Sequence, residues 1–565
     1  MGYFRGRGIR GFWVLSTSAI LTGGLSACFK PDFKIARSER EPAASASASP
    51  SASPSPSVTP SASPSASATP SASPSASATP SASPSASATP SASPSTSPSP
   101  SPTSSTLACT VAPGTGCDVI LSPNSSGAFN LDGRSIGATF YAGKKLCIPS
   151  RAQPYLYFWM YQTGGEENRP VTVTNCGGKV EFKKNTNGPV ISFEQSSYVH
   201  LTGTGSSAHE YGIFVQQTIV APALQASGHG VVVQPGSSDA EIDHVEVAGV
   251  PLTWDAQGKP LMSGGLGIAA ETYPRCSDGK WAYNTWEMKN IKIHHNYIHE
   301  VRLEGLYLGP SHWGFVPATG FSIGFPNCPQ YYEASGRNVV VENNIIENTG
   351  NDAFQAGGVV DGLVVKNNII RNFGLNGDES HSTGIQVGGG SKGWVERNWV
   401  SADVAYRTQG IKHGGLDGTT YLNNVIAGVR VGVALLSQSD IVAGLPQGHA
   451  YFYHNTFANI EAEAISVYCT RLGQVHFTNN IFAGYGTQYY TGTGPNISCI
   501  GNYTQTNYLN ASQAAAKFVD PANLDFHLLP NSPAANTGQS LLGTVDKDYD
   551  GNNRTGQYDH GAFVH

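Results

Sequence analysis

Long helical patterns are missing from this sequence. Nowhere in its repeated half do ten or more residues place apolar side chains at a period of 3.6, which sets aside helix bundles and helical repeats. No Cys-x-x-Cys pair occurs, so a structural zinc site and thioredoxin-like chemistry both lack their usual ligands. Charge is thin as well, 13% of 565 residues with a formal net of −6, and a chain without positive excess is a poor partner for nucleic acid. Between Glu41 and Asp118 there is no charged residue at all. The uncharged stretch from Gly11 to Leu25 is too short, and too broken by Gly and Ser, for a lasting membrane span.

What is present is a phrase that keeps returning: an extended apolar run, an asparagine, then more apolar residues. It reads Ile293-His294-His295-Asn296-Tyr297-Ile298, Val341-Glu342-Asn343-Asn344-Ile345-Ile346, Val365-Lys366-Asn367-Asn368-Ile369-Ile370 and Val395-Glu396-Arg397-Asn398-Trp399-Val400, and returns at Asn424, Asn455, Asn480 and Asn502. The intervals of 48, 24, 30, 26, 31, 25 and 22 residues suit stacked coils that differ in their corner loops. Short β-branched runs broken by Gly, Asn and Asp favour strands. Alternation puts neighbours on opposite sides of a strand, so the chain must bend in each phrase, and the asparagine is the expected bend. Stacked amides from successive coils are expected to bond along the axis.

A second column fixes the register. Some ten residues past each asparagine comes a small residue followed by an apolar one: Gly305-Leu306, Ala353-Phe354, Gly384-Ile385, Gly410-Ile411, Gly432-Val433 and Ala464-Ile465, with Gly267-Ile268 and Gly212-Ile213 upstream. If the apolar member points inward, Tyr307, Gln355, Gln386, Lys412, Ala434 and Ser466 point outward as a surface ladder with rungs ~4.8 Å apart. Gly309, Gly357, Gly388 and Gly414 lie two residues further on and leave a shallow groove beside it.

Arg5, Arg7 and Arg10 followed by the short apolar stretch read as a secretory signal over residues 1–27. Its end, Leu25-Ser26-Ala27-Cys28, resembles the lipobox of bacterial lipoproteins, in which the cysteine is lipidated. The resemblance implies attachment to the membrane through Cys28, and Phe29 after it implies the outer membrane or cell surface. Residues 28–106 read as a disordered linker that from Ala43 to Thr106 is almost entirely Ser, Ala, Pro and Thr, with Ala-Thr-Pro recurring at 68, 78 and 88; this part has no core and forms a stalk that could reach ~200 Å at ~3.1 Å per residue. Losing the three signal arginines takes the charge from −6 to −9. The 459 residues from 107 to 565 exceed an ordinary single core, yet a solenoid escapes that limit by growing along one axis.

Eight cysteines remain after Cys28, an even set in an exported chain: Cys109, Cys117, Cys147, Cys176, Cys276, Cys328, Cys469 and Cys499. Sequence neighbours are expected to pair, 109 with 117, 147 with 176, 276 with 328 and 469 with 499. Cys276 and Cys328 lie in two long insertions, between Ala270 and Ile291 and between Gly309 and Val339, that leave the same corner and should lie side by side. These insertions hold Tyr273, Trp281, Tyr283, Trp286, Trp313, Phe315, Tyr331 and Tyr332, which serve either as sugar-stacking platforms or as a satellite apolar cluster.

The repeated Asn-Asn-Ile phrases, with the ending from Asp525-Phe526-His527-Leu528-Leu529-Pro530 to Asp559-His560-Gly561-Ala562-Phe563, resemble the bacterial right-handed parallel β-helix repeat proteins of the pectate-lyase-like group over residues 190–565. The resemblance implies an all-β solenoid with a closing segment at about 520–565. It also implies lyase, hydrolase or epimerase action on polysaccharide, or simple glycan binding. No complete signature of one lyase family is present, and Ile242-Asp243-His244 is as much a strand end as a pectate lyase motif.

Candidate chemistry gathers where polar residues leave the repeat. Asn376-Gly377-Asp378-Glu379-Ser380-His381-Ser382 enters the Gln386 rung, the next coil supplies Arg407, Lys412 and His413, and the previous one Asp352. Gln355, Gln386, Tyr307, Trp313 and Trp281 are the substrate-binding candidates. Elimination from a uronic acid needs a base for the C5 proton and a cation or metal for the carboxylate, to which Lys412, His413, His381 and Arg407 are suited. Hydrolysis needs two carboxyls, from Glu304, Asp352, Asp378 and Glu379. Asp546, Asp548, Asp550 and Gly551 match half a calcium loop, but Gln557 stands where a bidentate Glu belongs. Either a Ca2+ site or a tight acidic turn fits. The expectation is an envelope-anchored β-helix whose groove binds and cleaves an acidic polysaccharide, the alternatives being an adhesion module without catalysis and a glycoside hydrolase.

Overall fold

The computed structural model describes residues 107–112, 116–219, 228–250, 253–254, 260–261, 264–283, 285–310, 331, 333–378, 380–402, 408–415, 418–436, 449–468, 474–491, 506–541, 543–555 and 558–565. Cys28, Trp313, Phe315, Cys328, Tyr332, Glu379, Arg407, Cys469, Cys499 and Asn502 lie outside them, as does all of 1–106.

Each coil contributes three short parallel strands. One column of strands forms a 12-stranded sheet, the first face, running from Val119–Ile120 to Val475–Thr478. The other two columns join into a 21-stranded sheet because Thr456–Tyr468 and Ile481–Thr491 pass through the corner unbroken. Within it, the second face holds the strands after the asparagines, such as Ile345–Glu347 and Ile369–Arg371. The third face holds Leu306–Leu308, Phe354–Ala356, Thr383–Val387, Gln409–His413 and Val431–Leu436. The chain is a right-handed parallel β-helix.

Register makes the core a set of axial stacks. On the first face Ile293, Val341, Val365, Val395, Tyr421, Phe452 and Phe477 follow one another rung by rung, all buried, and rings of adjacent coils stack face to face, as Tyr421 does on Phe452 at 4.4 Å. The small-residue column is a packing requirement: a Cβ on Gly384 would come within 2.4 Å of Val400 Cγ1, so a larger residue there forces the coil apart.

The asparagines form the continuous amide column expected of them, with two refinements. The left-handed residue is the one before: Asn343, Asn367, Arg397 and Asn423 carry φ of 56°, 55°, 50° and 52°, while Asn344, Asn368, Asn398 and Asn424 are fully enclosed. A single left-handed residue turns the chain by one corner and aims the next amide along the axis. Side-chain Nδ2 to Oδ1 bonds then run from Asn296 through Asn344, Asn368, Asn398, Asn424, Asn455 and Asn480 at 3.1, 3.0, 2.9, 2.9, 2.9 and 2.9 Å. The eighth member is Asn507, which accepts from Asn480 at 2.8 Å.

Three further expectations change. Gly212-Ile213 begins a second-face strand, Ile213 pairing with Val245, so the third-face column continues upstream from Gly267-Ile268 to Val231 and Ile191 instead. The amino-terminal disulfides are Cys109–Cys176 and Cys117–Cys147, not 109–117 and 147–176. The opening segment lies against a later coil, Gly177 N–H donating to Leu107 O at 2.8 Å, which brings Cys109 to Cys176 and leaves Cys117 beside Cys147. Cys276 is disulfide-bonded. The closing segment lies along the second face: Phe518, Phe526, Ala534, Ala562 and Phe563 cover Val425, Ala427, Ala458, Ile481 and Ala483, which seals apolar outward positions from water.

Candidate functional site

The third face carries the ladder in the expected register: Tyr307, Gln355, Gln386, Lys412, Ala434 and Ser466 are successive partners. Its depth is not as expected. Tyr307, Gln355, Gln386 and Lys412 are only 8%, 8%, 6% and 6% exposed, so the ladder is an interior polar seam and not an open groove. Two of its atoms, Gln355 Oε1 and Gln386 Oε1, are buried without a hydrogen-bond partner, a state that costs about 1–3 kcal/mol per group.

Beside the ladder, just before the small-residue column, the structure brings together Glu304, Asp352 and Thr383 on consecutive rungs. Gly305 N–H donates to Asp352 O at 3.1 Å and Thr383 N–H to Asp352 Oδ1 at 2.6 Å. Both carboxyls are buried. Burial raises the Asp352 pKa against the opposing charges of Lys412 and His381, and burial, then the Asp352 charge, raises that of Glu304. Asn351 Nδ2 donates to Glu304 Oε1 at 3.1 Å, whereas Asp352 Oδ2 and Thr383 Oγ1 have no partner. Burial lowers the pKa of Lys412, opposed by Asp352 and Asp378. Its Nζ donates to Ser380 O at 2.8 Å, so the corner that begins the His381 coil lies over the seam. His381 Nδ1 is 3.6 Å from Asp378 Oδ2. Lys412, Asp352, Glu304 and His381 therefore constitute one nest in which acids are biased to hold protons and the amine to lose one.

His413 does not belong to it. The alternation that sends Lys412 outward sends its neighbour inward, where Nδ1 pairs with Tyr421 OH at 2.9 Å and burial pushes the imidazole pKa down to about 4. Trp281 is likewise no open platform: Arg275 covers its ring at 5.0 Å and Gly236 lies against the indole. The two insertions do meet, through a bridge between Ala282 and Glu333, but Trp286 packs on the core and Tyr273 OH donates to Gln234 Oε1 at 2.7 Å. Of their described aromatics Tyr283 is the exposed one. The three C-terminal carboxylates hold separate partners: Asp546 Oδ1 accepts from Gly543 N–H at 2.7 Å, Asp548 Oδ1 from Asn552 N–H at 2.7 Å, and Asp550 Oδ2 pairs with His527 Nε2 at 2.8 Å.

Sequence reasoning passed over the upstream end of the same face. Trp159, Ser192, Val232 and Ala269 precede Tyr307 in the ladder, while the glycine column gives way to Tyr161, Glu194, Gln234 and Glu271. A cavity of about 270 Å³ opens there, lined by Tyr157, Trp159, Lys184, Ser192, Glu194 and Gln234 among others. Burial lowers the Lys184 pKa to about 8 and raises that of Glu194. The signal was available in Phe158–Tyr161, where Phe158 and Met160 face in and Trp159 and Tyr161 face out. Six rungs separate Ser192 from Lys412, roughly 29 Å of one surface.

No protein-family model matches the chain, and no curated protein matches it. Among solved structures it is similar to the pectate lyase Pel9A, at 14% identity over 80% of this chain and 97% of that one with a TM-score of 0.37. It is similar to an alginate lyase from Paenibacillus sp. str. FPU-7 at 12% identity over 68% and 98%, TM-score 0.34. It is also similar to the GH136 lacto-N-biosidase from Eubacterium ramulus at 11% identity over 68% of each, TM-score 0.41. Likenesses this distant assign no activity. The chemistry of the third face has to be argued from its own residues.

Proposed function

We propose that the third face binds a linear polysaccharide and cleaves it by elimination at the Lys412 nest. The observation that carries this reading is the combination at one buried point of a lysine biased toward its neutral form, a carboxyl biased toward its protonated form, and unpartnered Gln355, Gln386 and Asp352 oxygens. The Lys412 amine, which burial biases toward losing its proton, is the base for the C5 proton of a uronate. His381 supplies a proton to the departing glycosidic oxygen as negative charge develops on the sugar carboxylate. Gln355 and Gln386 accept sugar hydroxyls, and substrate replaces the Ser380 carbonyl at Lys412. The aromatic cavity at Trp159 holds a distant part of the same chain.

A second reading rests on Glu304 and Asp352, whose rungs are adjacent and so place two carboxyls near the ~5 Å separation of retaining glycosidases. Incubation with a panel of uronans separates the two. Elimination yields an ultraviolet-absorbing unsaturated uronate, hydrolysis yields reducing ends without it, and binding without either product marks an adhesion module. Lys412→Met should lower the elimination rate about 10²–10⁴-fold with an unchanged unfolding transition. Equal rates in the two proteins would remove Lys412 from the mechanism.

The place of action is part of the same proposal. Cys28 carries a lipid that anchors the chain to the cell envelope, and the Ser/Ala/Pro/Thr stalk carries the β-helix outward to its glycan.

A further inference from the structure

The first face carries a concentration of chemistry remote from the ladder. His200, Glu241, Asp243 and His294 stand on three consecutive rungs, His200 paired with Glu241 and Asp243 with His294. They alternate with Leu201, Ile242 and Ile293 of the core, so all four side chains project from the same outer surface. A ligand atom from each of His200, Glu241 and Asp243 lies within 4.8 Å of the others. His294 Nε2 joins them at 2.8 Å from Glu241 Oε1 and 3.9 Å from Asp243 Oδ2, and His200 Nε2 contacts Asp243 Oδ2.

We propose that these four residues bind one divalent transition-metal ion, with zinc the best fit. Ligands at about 2.0–2.2 Å from zinc lie roughly 3.4 Å from one another in a tetrahedron, and the two His294 separations bracket that value. Two carboxylates balance the charge of the ion. Two imidazoles select zinc, nickel or copper over calcium, which takes six to eight oxygens. The surroundings orient the set as metal sites require. Thr202 Oγ1 donates to Asp243 Oδ1 at 2.6 Å, Lys292 Nζ holds Glu241 Oε1 at 3.1 Å, and His294 Nδ1 meets His295 Nδ1 at 2.8 Å. Because the donors come from coils 41 and 51 residues apart, the ion braces three rungs, the last of which leads into Asn296 at the start of the asparagine column.

The test uses the purified chain, stripped with chelator and titrated with ZnCl2, with CaCl2 as the contrast. One zinc per chain is expected, together with a rise in the thermal midpoint that CaCl2 does not produce. Cobalt(II) in place of zinc should give visible ligand-field bands. His294→Gln, and separately His200→Gln, should each lower zinc affinity at least tenfold and abolish those bands while the circular dichroism of the strands is retained. The proposal is overturned by wild-type protein that takes up no zinc, by calcium binding equally well, or by well-folded glutamine variants that bind zinc as the wild type does. If a variant fails to fold, the wild-type stoichiometry and cobalt spectrum decide alone.

Discussion

Asn398 is the position at which the asparagine column can be tested most sharply. Its Oδ1 accepts from the backbone N–H of Asn368 at 3.1 Å and from Asn368 Nδ2 at 2.9 Å, and its own Nδ2 donates to Val365 O and to Asn424 Oδ1, both at 2.9 Å. Asn398→Ala deletes all four bonds and leaves two donors of Asn368 enclosed where water does not reach. Each orphaned donor costs about 1–3 kcal/mol, and the two acceptors that lose a donor add less, for a total of about 3–5 kcal/mol. Stability in a solenoid is close to a sum over neighbouring coils, so the loss should be local to the Asn368, Asn398 and Asn424 coils. Urea denaturation followed by circular dichroism gives the total, and hydrogen exchange at the amides of Ile369, Trp399 and Val425 gives the place. Asn398→Asp keeps both acceptor bonds but buries a charge, and should fare no better at neutral pH. Trp394→Ala on the outside of the neighbouring strand, where the ring is 46% exposed, is the reference. If Asn398→Ala costs no more than Trp394→Ala, the amide column is not what holds the coils in register.

Two other outcomes are expected. Glu271 is buried beside Glu333, and burial raises its pKa from 4.5 to about 7. Its contribution to stability is therefore intact below pH 4.5 and is lost as pH climbs through about 7, so Glu271→Gln should flatten that stretch of the stability–pH curve and gain on the order of 3 kcal/mol above it; unchanged slopes would show that the carboxyl is not enclosed in solution. Cys28→Ala should abolish incorporation of labelled palmitate and release the chain from membranes of the producing cell, and retained labelling would refute the anchor.

The fold was readable because a β-helix repeats its physics. Every coil must bury one side of each strand and turn each corner, so Asn344, Asn368 and Asn398 return in step with Gly305, Ala353 and Gly384, and spacing alone gives the axial neighbours. The errors have physical causes. Gly212-Ile213 satisfies the small-then-apolar pattern equally on the second face, since that pattern marks a strand entry and not a particular face. Sequence proximity misled the disulfide pairing because the segment at Leu107 returns against Gly177, a later coil. Asn507 was passed over for Asn502 because each is followed by a tyrosine and intervals of 22 and 27 residues from Asn480 fit the series equally well.

The site was readable in one dimension and hidden in another. Alternation tells which residues face out, and applied strictly it would have excluded His413, which follows Lys412 and therefore faces in. Alternation does not tell what lies on top. The corner at Ser380 covers Lys412, turning an expected surface ladder into a buried one and changing the chemistry with it: a solvated lysine at this rung would stay charged and bind anions, whereas an enclosed one is biased toward a base. The small-residue marks at Gly305 and Ala353 align Glu304 with Asp352, 48 residues apart, but spacing does not show that both carboxyls are enclosed. His200, Glu241, Asp243 and His294 were missed for the converse reason. They occupy ordinary strand positions, only His294 lies in an asparagine phrase, and only pairing rung by rung assembles the four residues into one set of ligands. In a solenoid, then, periodicity supplies the neighbours, and the aperiodic corners decide which neighbours are kept from water and hence which can do chemistry.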